Sequence, residues 1–379
     1  MRATLDHVTR LVATGQHNAF TALCTWRGGT YLAYRQAYSH GIVPPGDIAI
    51  VRLTDATSRR PAAERVTTLH HPLGDCRDPK FIATDTALYC YCGIYLPMPS
   101  THPHLSEMAS ENLLMTHVSF TTTGEDWAPL RPILRPNYWA WSHVVVGARQ
   151  GHLLASYHVG TPGERTSSIA VWASSTLLQW QHAGVIYDGA SVTRDADGVY
   201  DTAHSIPSEP VLYQPAPHLL ACCVRTEGSM EIGLVRAPYQ DGWRWWDTTH
   251  LIHPSAILAT PHGWLLAGRA LAPVYDTTAQ ARRQHARLRS AFPELPTTAL
   301  RTPLYHETTT ALWHVEAQHV TPLLTLPSGG DTGYAGLCAG TKPGEYLISY
   351  YSQHDYQDAR GVTPLPSADI YLATIRVED

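Results

Sequence analysis

One pattern recurs along this chain and constrains it more than any other feature. A small polar cluster leads into a hydrophobic strand, a turn, and a second strand that ends in another polar residue. Six copies run from His17-Asn18 to Arg35, Arg77-Asp78 to Tyr95, Ser142-His143 to His158, Ser208-Glu209 to Arg225, His253 to Arg269, and Thr332-Tyr334 to Tyr351. A hairpin brings its two outer ends together. Each copy therefore sets its head and its tail at one edge. Six copies around a ring turn those polar ends into one central cavity, which is the plan of a β-propeller.

The repeat continues past the hairpin. A third alternating strand follows in each copy, at 47–55, 114–121, 168–174, 230–237, 308–316 and 368–377. Short fourth segments follow at 65–69, 130–134 and 320–324. Four strands make one propeller blade, and a loose period of roughly 45 to 80 residues suits blades with variable loops. The last copy ends after its third strand. The stretch 7–12, ahead of the first copy, is placed to supply the missing fourth and so remove exposed sheet edges. The expected fold is all-β: a six-bladed β-propeller of four-stranded antiparallel blades, closed by the N-terminal strand, with residues 1–379 as one domain. One insertion, 274–307, breaks the pattern. Its stretch 278–292 reads as a short Arg-rich helix, placed as a lid, a solvated surface helix or a subunit contact.

Composition bounds the function. The 379 residues are 44% hydrophobic and 16% charged, enough for a substantial core. The net charge is −5 and the isoelectric point about 6.5, with no long basic run, which argues against a nucleic-acid partner. The N-terminal stretch lacks the apolar core of a signal peptide, and no segment is long and apolar enough to span a membrane. The expectation is a cytoplasmic protein with no membrane partner; nothing in the sequence sets its oligomeric state. The seven cysteines are odd in number and lack zinc-site spacing, so they read as buried reduced thiols. The 11 Trp and 20 Tyr against 4 Phe favour the amphipathic aromatics of carbohydrate sites, although aromatics also suit strands.

Position selects the candidate chemistry. The heads are His17, Asn18, Arg77, Asp78, His143, Glu209, His253, Asp331 and Tyr334; the tails are Arg35, His40, Tyr95, His158, Arg225, Arg269 and His354. Glu209 and Arg225 belong to one hairpin, within ion-pair reach, either as a structural salt bridge or as a carboxylate beside a substrate-facing Arg. Tyr334 follows the run Gly329-Gly330-Asp331-Thr332-Gly333, whose glycines let the backbone turn tightly. A free Tyr, with a pKa of about 10, is a poor nucleophile. A neighbouring carboxylate activates it; the alternative is a packing Tyr at a strand start. Neutral imidazoles at the same edge suit sugar hydroxyls or a metal. His70-His71 and His102 with His104 have no metal-site context, and neither a metal nor a cofactor is expected.

The turn Thr121-Thr122-Thr123-Gly124-Glu125-Asp126-Trp127 resembles the Asp-box of sialidase-type propellers, with Thr at the usual Asp. Residues 174–180 form a more degraded copy, and 240–245 occupy the same place in the next unit. Together with Glu209 and Arg225 in one blade and the late Gly-rich Tyr334, these turns resemble the sialidase superfamily of six-bladed glycoside hydrolases. The segments 17–40, 76–80 and 328–334 look like a bacterial branch of it, and the resemblance covers nearly the whole chain. It implies exo-cleavage of a terminal acidic sugar of the sialic type from a carbohydrate substrate. It implies Tyr334 as nucleophile and Glu209 as its base, the family's exception to the two-carboxylate rule. Arg225 matches one of three arginines that clamp the substrate carboxylate. Asp47, between the second and third strands of blade one, is the nearest match for the acid/base, with His40 and Asp78 competing. The chain departs from the clamp: His17-Asn18 and His253 stand where the family has arginines. Arg35, Arg77 and Arg269 are expected to compensate, with His17, His40, His143, His158 and His253 lining the sugar site. Arg77-Asp78-Pro79 also resembles five-bladed furanosidases, on which reading Asp78 and Glu209 share acid/base work on a neutral sugar. A glycan-binding propeller without catalysis is the third reading.

Overall fold

The computed structural model describes residues 1–97, 112–146, 151–158, 168–188, 207–226, 230–236, 242–248, 250–271, 308–316, 318–356 and 366–378. The expected helix within 274–307 lies outside the described residues.

The described residues form six four-stranded antiparallel sheets arranged as propeller blades. Strand β1 (Arg2–Val12) comes first in the chain. Blade 1 then holds β2 (His17–Trp26), β3 (Gly29–Ala37), β4 (Asp47–Thr54) and β5 (Ala62–Leu69). Blade 2 holds β6 (Asp75–Ala83), β7 (Leu88–Pro97), β8 (Asn112–Thr121) and β9 (Arg131–Pro132). Blade 3 holds β10 (Tyr138–Val146), β11 (Gly151–His158), β12 (Ser168–Ser174) and β13 (Gln181–Asp188). Blade 4 holds β14 (Ser208–Ala216), β15 (Leu219–Arg225), β16 (Met230–Arg236) and β17 (Arg244–Asp247). Blade 5 holds β18 (Ile252–Thr260), β19 (Gly263–Leu271), β20 (Thr308–Glu316) and β21 (His319–Thr325). Blade 6 holds β22 (Gly333–Ala339), β23 (Glu345–Ser352) and β24 (Asp369–Glu378), and its outer strand is β1. The pairing of β1 with β24 runs from Arg2 opposite Glu378 to Val12 opposite Ile370. The N-terminal strand thus closes the ring, as the sequence pattern requires.

The core lies between blades. Ile48 and Ile50 of blade 1 pack with Leu88, Cys90 and Ile94 of blade 2. Leu265 and Leu312 of blade 5 pack with Ile348 of blade 6. A middle strand is therefore covered on both faces, which is why β3 and β23 read as nearly continuous apolar runs rather than clean alternations. Six of the seven cysteines are buried in these interfaces, Cys24 is half-buried, and none forms a disulfide. The Thr121 and Ser174 turns share one device. Each hydroxyl accepts from backbone N–H groups, Gly124 at 2.9 Å in one and Leu177 at 2.9 Å in the other. Both acceptor turns then carry a residue with positive φ, and Trp127 and Trp180 pack back against the blades.

One expectation about the repeat is wrong. Blade 3 does not begin at Ser142-His143 but four residues earlier, at Tyr138, after the left-handed turn residue Asn137 (φ 66°). The aromatic run Tyr138-Trp139-Ala140-Trp141 carries no charge to mark a strand end, whereas the polar pair further along mimics a head.

A second feature is invisible in the alternation. Every innermost strand carries a β-bulge one to three residues from its start. The register slips between Ala19 and Ala22, Arg77 and Lys80, Ala140 and Ser142, Ser208 and Val211, Pro254 and Ala256, and Gly333 and Gly336. A bulge opposes two residues to one and re-aims a side chain. The bulge residues are Phe20, Asp78, Trp141, Glu209, Ser255 and Tyr334. Four of them hold left-handed backbone: Phe20 (φ 56°), Asp78 (52°), Glu209 (52°) and Tyr334 (43°). For residues with a Cβ this conformation is strained, and such strain gathers at functional sites.

Candidate active site

The bulges deliver the site. Trp141 and Tyr334 come from opposite blades of the ring, yet their rings meet at 5.7 Å. Phe20 stands edge-on to Tyr334 at 5.1 Å. Tyr334 Oη donates to Glu209 Oε1 at 2.7 Å, across from blade 6 to blade 4. Arg225 Nη1 donates to the same oxygen at 2.5 Å, from the tail of the hairpin that Glu209 heads. Glu209 Oε2 is buried with no hydrogen-bond partner among the described residues. Ser255, the bulge residue of blade 5, instead accepts from Ala335 N at 2.8 Å and ties that blade to the strand of Tyr334. Thr21, beside the blade 1 bulge, donates to the Tyr334 carbonyl at 2.9 Å from the other side. The backbone of Tyr334 is thus held from both neighbouring blades.

Burial perturbs the ionisable groups at the ring's centre. Burial pushes Asp78 up to about 6, against the pull of Arg77 and Lys80 and with Glu209 adding to the rise. Its Oδ1 has no partner among the described residues. Burial also raises the Tyr334 phenol well above its ordinary value; Glu209 adds to this, and Arg225 and Arg269 oppose it. Tyr334 is therefore a neutral phenol at rest. Burial lowers the Lys80 ammonium, whose nitrogen lies 4.3 Å from the Trp141 ring centre. On the far side of the bulges, Lys80, Trp141, Ser142 and His143 line a cavity of about 160 Å³.

Asp78 carries a pH signature. Its ordinary pKa of 3.8 rises to about 6 on folding. The folded protein thus keeps a proton that the unfolded chain has released, and stability falls as pH rises through the window from about 4 to about 6. Asp78→Asn tolerates the left-handed backbone. It is expected to raise stability at pH 8 by on the order of 2–3 kcal/mol and to leave it unchanged at pH 4. Urea denaturation at both pH values reads this, and an equal offset at the two would remove Asp78 as a buried ionising group.

Of the three arginines expected to compensate, Arg35 and Arg77 are held by Asp75, while Arg269 lies beside Tyr334. Arg35 is fully buried and donates to Asp75 Oδ1 through Nε at 3.0 Å and Nη2 at 2.6 Å. Arg77 Nε donates to Asp75 Oδ2 at 2.8 Å. Their remaining N–H groups hold a loop: Arg35 binds the carbonyls of Ser39 (2.7 Å) and Gly41 (2.5 Å), and Arg77 that of His40 (2.8 Å). Arg35 is therefore a structural cation with no face toward a substrate. Arg269 Nη2 donates to Asp331 Oδ1 at 3.1 Å and to Tyr351 Oη at 2.8 Å, and its guanidinium lies 5.1 Å from the Tyr334 ring centre. Arg225 and Arg269 are the two guanidinium groups that flank the Tyr334–Glu209 pair.

Asp331 is a second hub. Its Oδ2 meets His17 Nε2 at 3.1 Å and His40 Nδ1 at 2.5 Å, while its Oδ1 accepts from Tyr351 Oη at 2.6 Å. Burial works against its ionisation, but His40, His17 and Arg269 hold the carboxyl well below the usual range. Burial lowers His17, which is neutral. The donor atoms of His17, His40 and Asp331 lie within 4.8 Å of one another, so they are the described residues best placed to share a metal. Both carboxylate oxygens are nonetheless already saturated, and the Arg269 cation on Oδ1 disfavours a second cation. The group reads as a hydrogen-bond hub.

The remaining candidates separate. Asp47 does not join the Tyr334–Glu209 pair. It bonds His70 Nδ1 at 2.8 Å and lines a separate groove of about 320 Å³ with Gln36, Tyr38 and Arg65. His143 lies past its bulge, beside the far cavity, bonded to His152 at 2.9 Å, and burial drops it to about 3. His158 packs on Tyr138 at 4.7 Å between ring centres, and His253 pairs in register with Arg269; both are half-buried at the head edge. Asp75, Phe20, Trp141 and Lys80 were not anticipated. The pairs Asp78-Pro79 and Glu209-Pro210 were a usable signal, because the second bulge position has no ladder partner and tolerates a residue without N–H.

The fold has known counterparts. No protein-family model matches the sequence, and no curated protein matches it either. Among solved structures, a Trypanosoma rangeli sialidase bound to the inhibitor DANA is similar with a TM-score of 0.59 and 9% identity, over 95% of this chain and 55% of that one. A Hadza microbial sialidase gives 0.60 and 12% identity, over 94% and 65%. The phage phi92 endosialidase gives 0.60 and 9%, over 99% and 70%. This chain spans little more than half the length of the trypanosomal enzyme. The likeness is one of fold, the six-bladed propeller that sialidases use.

Proposed function

We propose that this protein is a sialidase-like glycoside hydrolase that removes a terminal acidic sugar, with Tyr334 as nucleophile and Glu209 as its base. The observation that carries this reading is the 2.7 Å hydrogen bond from Tyr334 Oη to Glu209 Oε1, made between two strained bulge residues on different blades. A neutral phenol suits a substrate whose anomeric carbon bears a carboxylate, because an anionic nucleophile is repelled by it. As the phenol oxygen attacks, its proton passes to Glu209. The substrate carboxylate, held beside Tyr334, meets Arg225 and Arg269. These flank the nucleophile and favour an anion over a neutral group at that point. Two displacements at one carbon retain its configuration.

A second reading has its own observation. Asp78, with its pKa pushed to about 6, faces the same centre as Glu209. Such a pair suits acid/base hydrolysis of a neutral sugar. Aryl glycosides of acidic and neutral sugars, assayed with the wild type and Tyr334→Phe, separate the two. On the favoured reading, an acidic glycoside is turned over and Tyr334→Phe abolishes it. Undiminished activity in Tyr334→Phe assigns the chemistry to the carboxyl pair. Sugar binding without turnover of any glycoside leaves a glycan-binding propeller.

A further inference from the structure

Resting on the hydrolase reading, we infer that His40, held through its Nδ1 by Asp331, is the general acid/base for the leaving group, so that a histidine–carboxylate dyad stands where a lone carboxylate was expected. Four observations meet on it. First, the loop 38–46 that joins the second and third strands of blade 1 contains no carboxylate before Asp47, and Asp47 is engaged with His70 in a separate groove. Second, His40 is the titratable side chain of that loop that reaches the site. Its ring stands edge-on to Phe20 at 5.2 Å, and Phe20 in turn abuts Tyr334.

Third, the ring is aimed. Nδ1 lies 2.5 Å from Asp331 Oδ2, while the side chain stays 45% exposed. A carboxylate on one ring nitrogen fixes the tautomer and orientation, and presents the other nitrogen for proton transfer. His40 Nε2 has no partner among the described residues. Fourth, the loop is anchored for this purpose. The two guanidinium groups that share Asp75 bind the carbonyls of Ser39, His40 and Gly41. The arginines that fail to form a substrate clamp thus act as positioning residues for the acid.

Every charged neighbour has a place in the scheme. Asp331 faces His40 directly; His17, Arg269 and Tyr351 share that carboxylate from blades 1, 5 and 6. Asp78 lies within electrostatic reach, and Arg77 touches the His40 carbonyl. In the first half-reaction, Tyr334 Oη bonds the anomeric carbon and its proton passes to Glu209. The glycosidic C–O bond breaks with its electron pair on the leaving oxygen, which takes the Nε2 proton of the His40 imidazolium. In the second half-reaction, neutral His40 takes a proton from water. The water oxygen bonds the anomeric carbon, the bond to Tyr334 breaks, and Glu209 returns the phenol proton. The enzyme ends as it began.

The test compares leaving groups. Two glycosides of the same sugar are assayed, one with 4-nitrophenol and one with methanol as leaving group. A phenol this acidic departs without help, whereas methanol needs a proton. His40→Ala is expected to lower kcat/KM on the methyl glycoside by about 10²–10⁴-fold and on the nitrophenyl glycoside by less than tenfold. It is also expected to remove the alkaline limb of the pH profile for the methyl glycoside. Asp331→Asn, which removes the orienting charge, is expected to move that limb to lower pH. Equal losses on both substrates, or none on either, overturn the dyad while leaving the Tyr334 chemistry intact. A wild type that hydrolyses neither glycoside overturns the hydrolase reading and the dyad with it. Because His40 is exposed on a loop, unchanged thermal unfolding of His40→Ala is the companion control.

Discussion

Glu209→Gln is expected to lower kcat by about 10²–10⁴-fold with little change in KM. The amide keeps the shape of the carboxylate, and the backbone at this position stays left-handed whichever side chain it carries. Its oxygen can still accept from Tyr334 or from Arg225, but it cannot take up the phenol proton. Tyr334, whose pKa burial holds high, then has no base at 2.7 Å. The cost to the fold is small by comparison. The charge-assisted bond from Arg225 to Glu209 contributes about 1.5–3 kcal/mol, and an amide retains part of it. A loss of turnover without matching loss of stability therefore separates chemistry from structure. Steady-state kinetics with thermal unfolding of the same samples give both numbers. Activity within fivefold of the wild type would mean that the Tyr334–Glu209 bond is packing.

Asp75→Ala is expected to destabilise the fold by about 3–5 kcal/mol, the usual cost of removing one partner from a buried ion pair. Asp75 accepts from Arg35, Arg77 and the N–H of Gly46 at 2.6–3.0 Å. Without it, two buried guanidinium groups face each other with no carboxylate between them. The loop they hold also loosens, so hydrolysis of poor leaving groups should fall along with stability. Adding Arg35→Met removes one of the stranded charges and is expected to recover part of the lost stability without restoring turnover. Urea denaturation of the single and double variants measures this. A single variant within 1 kcal/mol of the wild type would show that the arginines find other counter-charges.

Much of this was legible in the sequence, for reasons that differ by element. The strands were readable because a hairpin repeat with apolar runs and turn residues is a strong local signal. The pairing of β1 with β24 followed from counting strands in the last blade. Glu209 and Tyr334 were readable because each stands at a strand end beside proline or glycine, and Arg225 because it ends the hairpin that Glu209 heads. The bulges were not readable. They interrupt the period-2 alternation by one residue, and such a slip looks like ordinary variation in a strand covered on both faces. The head of blade 3, and with it His143, was hidden separately, because the run Tyr138–Trp141 carries no charge to mark the strand end. The fate of Arg35 was hidden for another reason. A guanidinium at a strand end looks substrate-facing until its counter-ion is known, and Asp75 lies 40 residues away.

The six bulges have a consequence for how such a protein can change. Each fixes one backbone conformation and re-aims one side chain, so backbone geometry and chemical identity are separable at six defined sockets. The set Phe20, Asp78, Trp141, Glu209, Ser255 and Tyr334 is one wording written in those sockets. At the four left-handed bulges the strain resides in the main chain, so an Asn or Asp can replace another residue there at little conformational expense. Substrate preference should then be rewritable one blade at a time, with the ring left as it is.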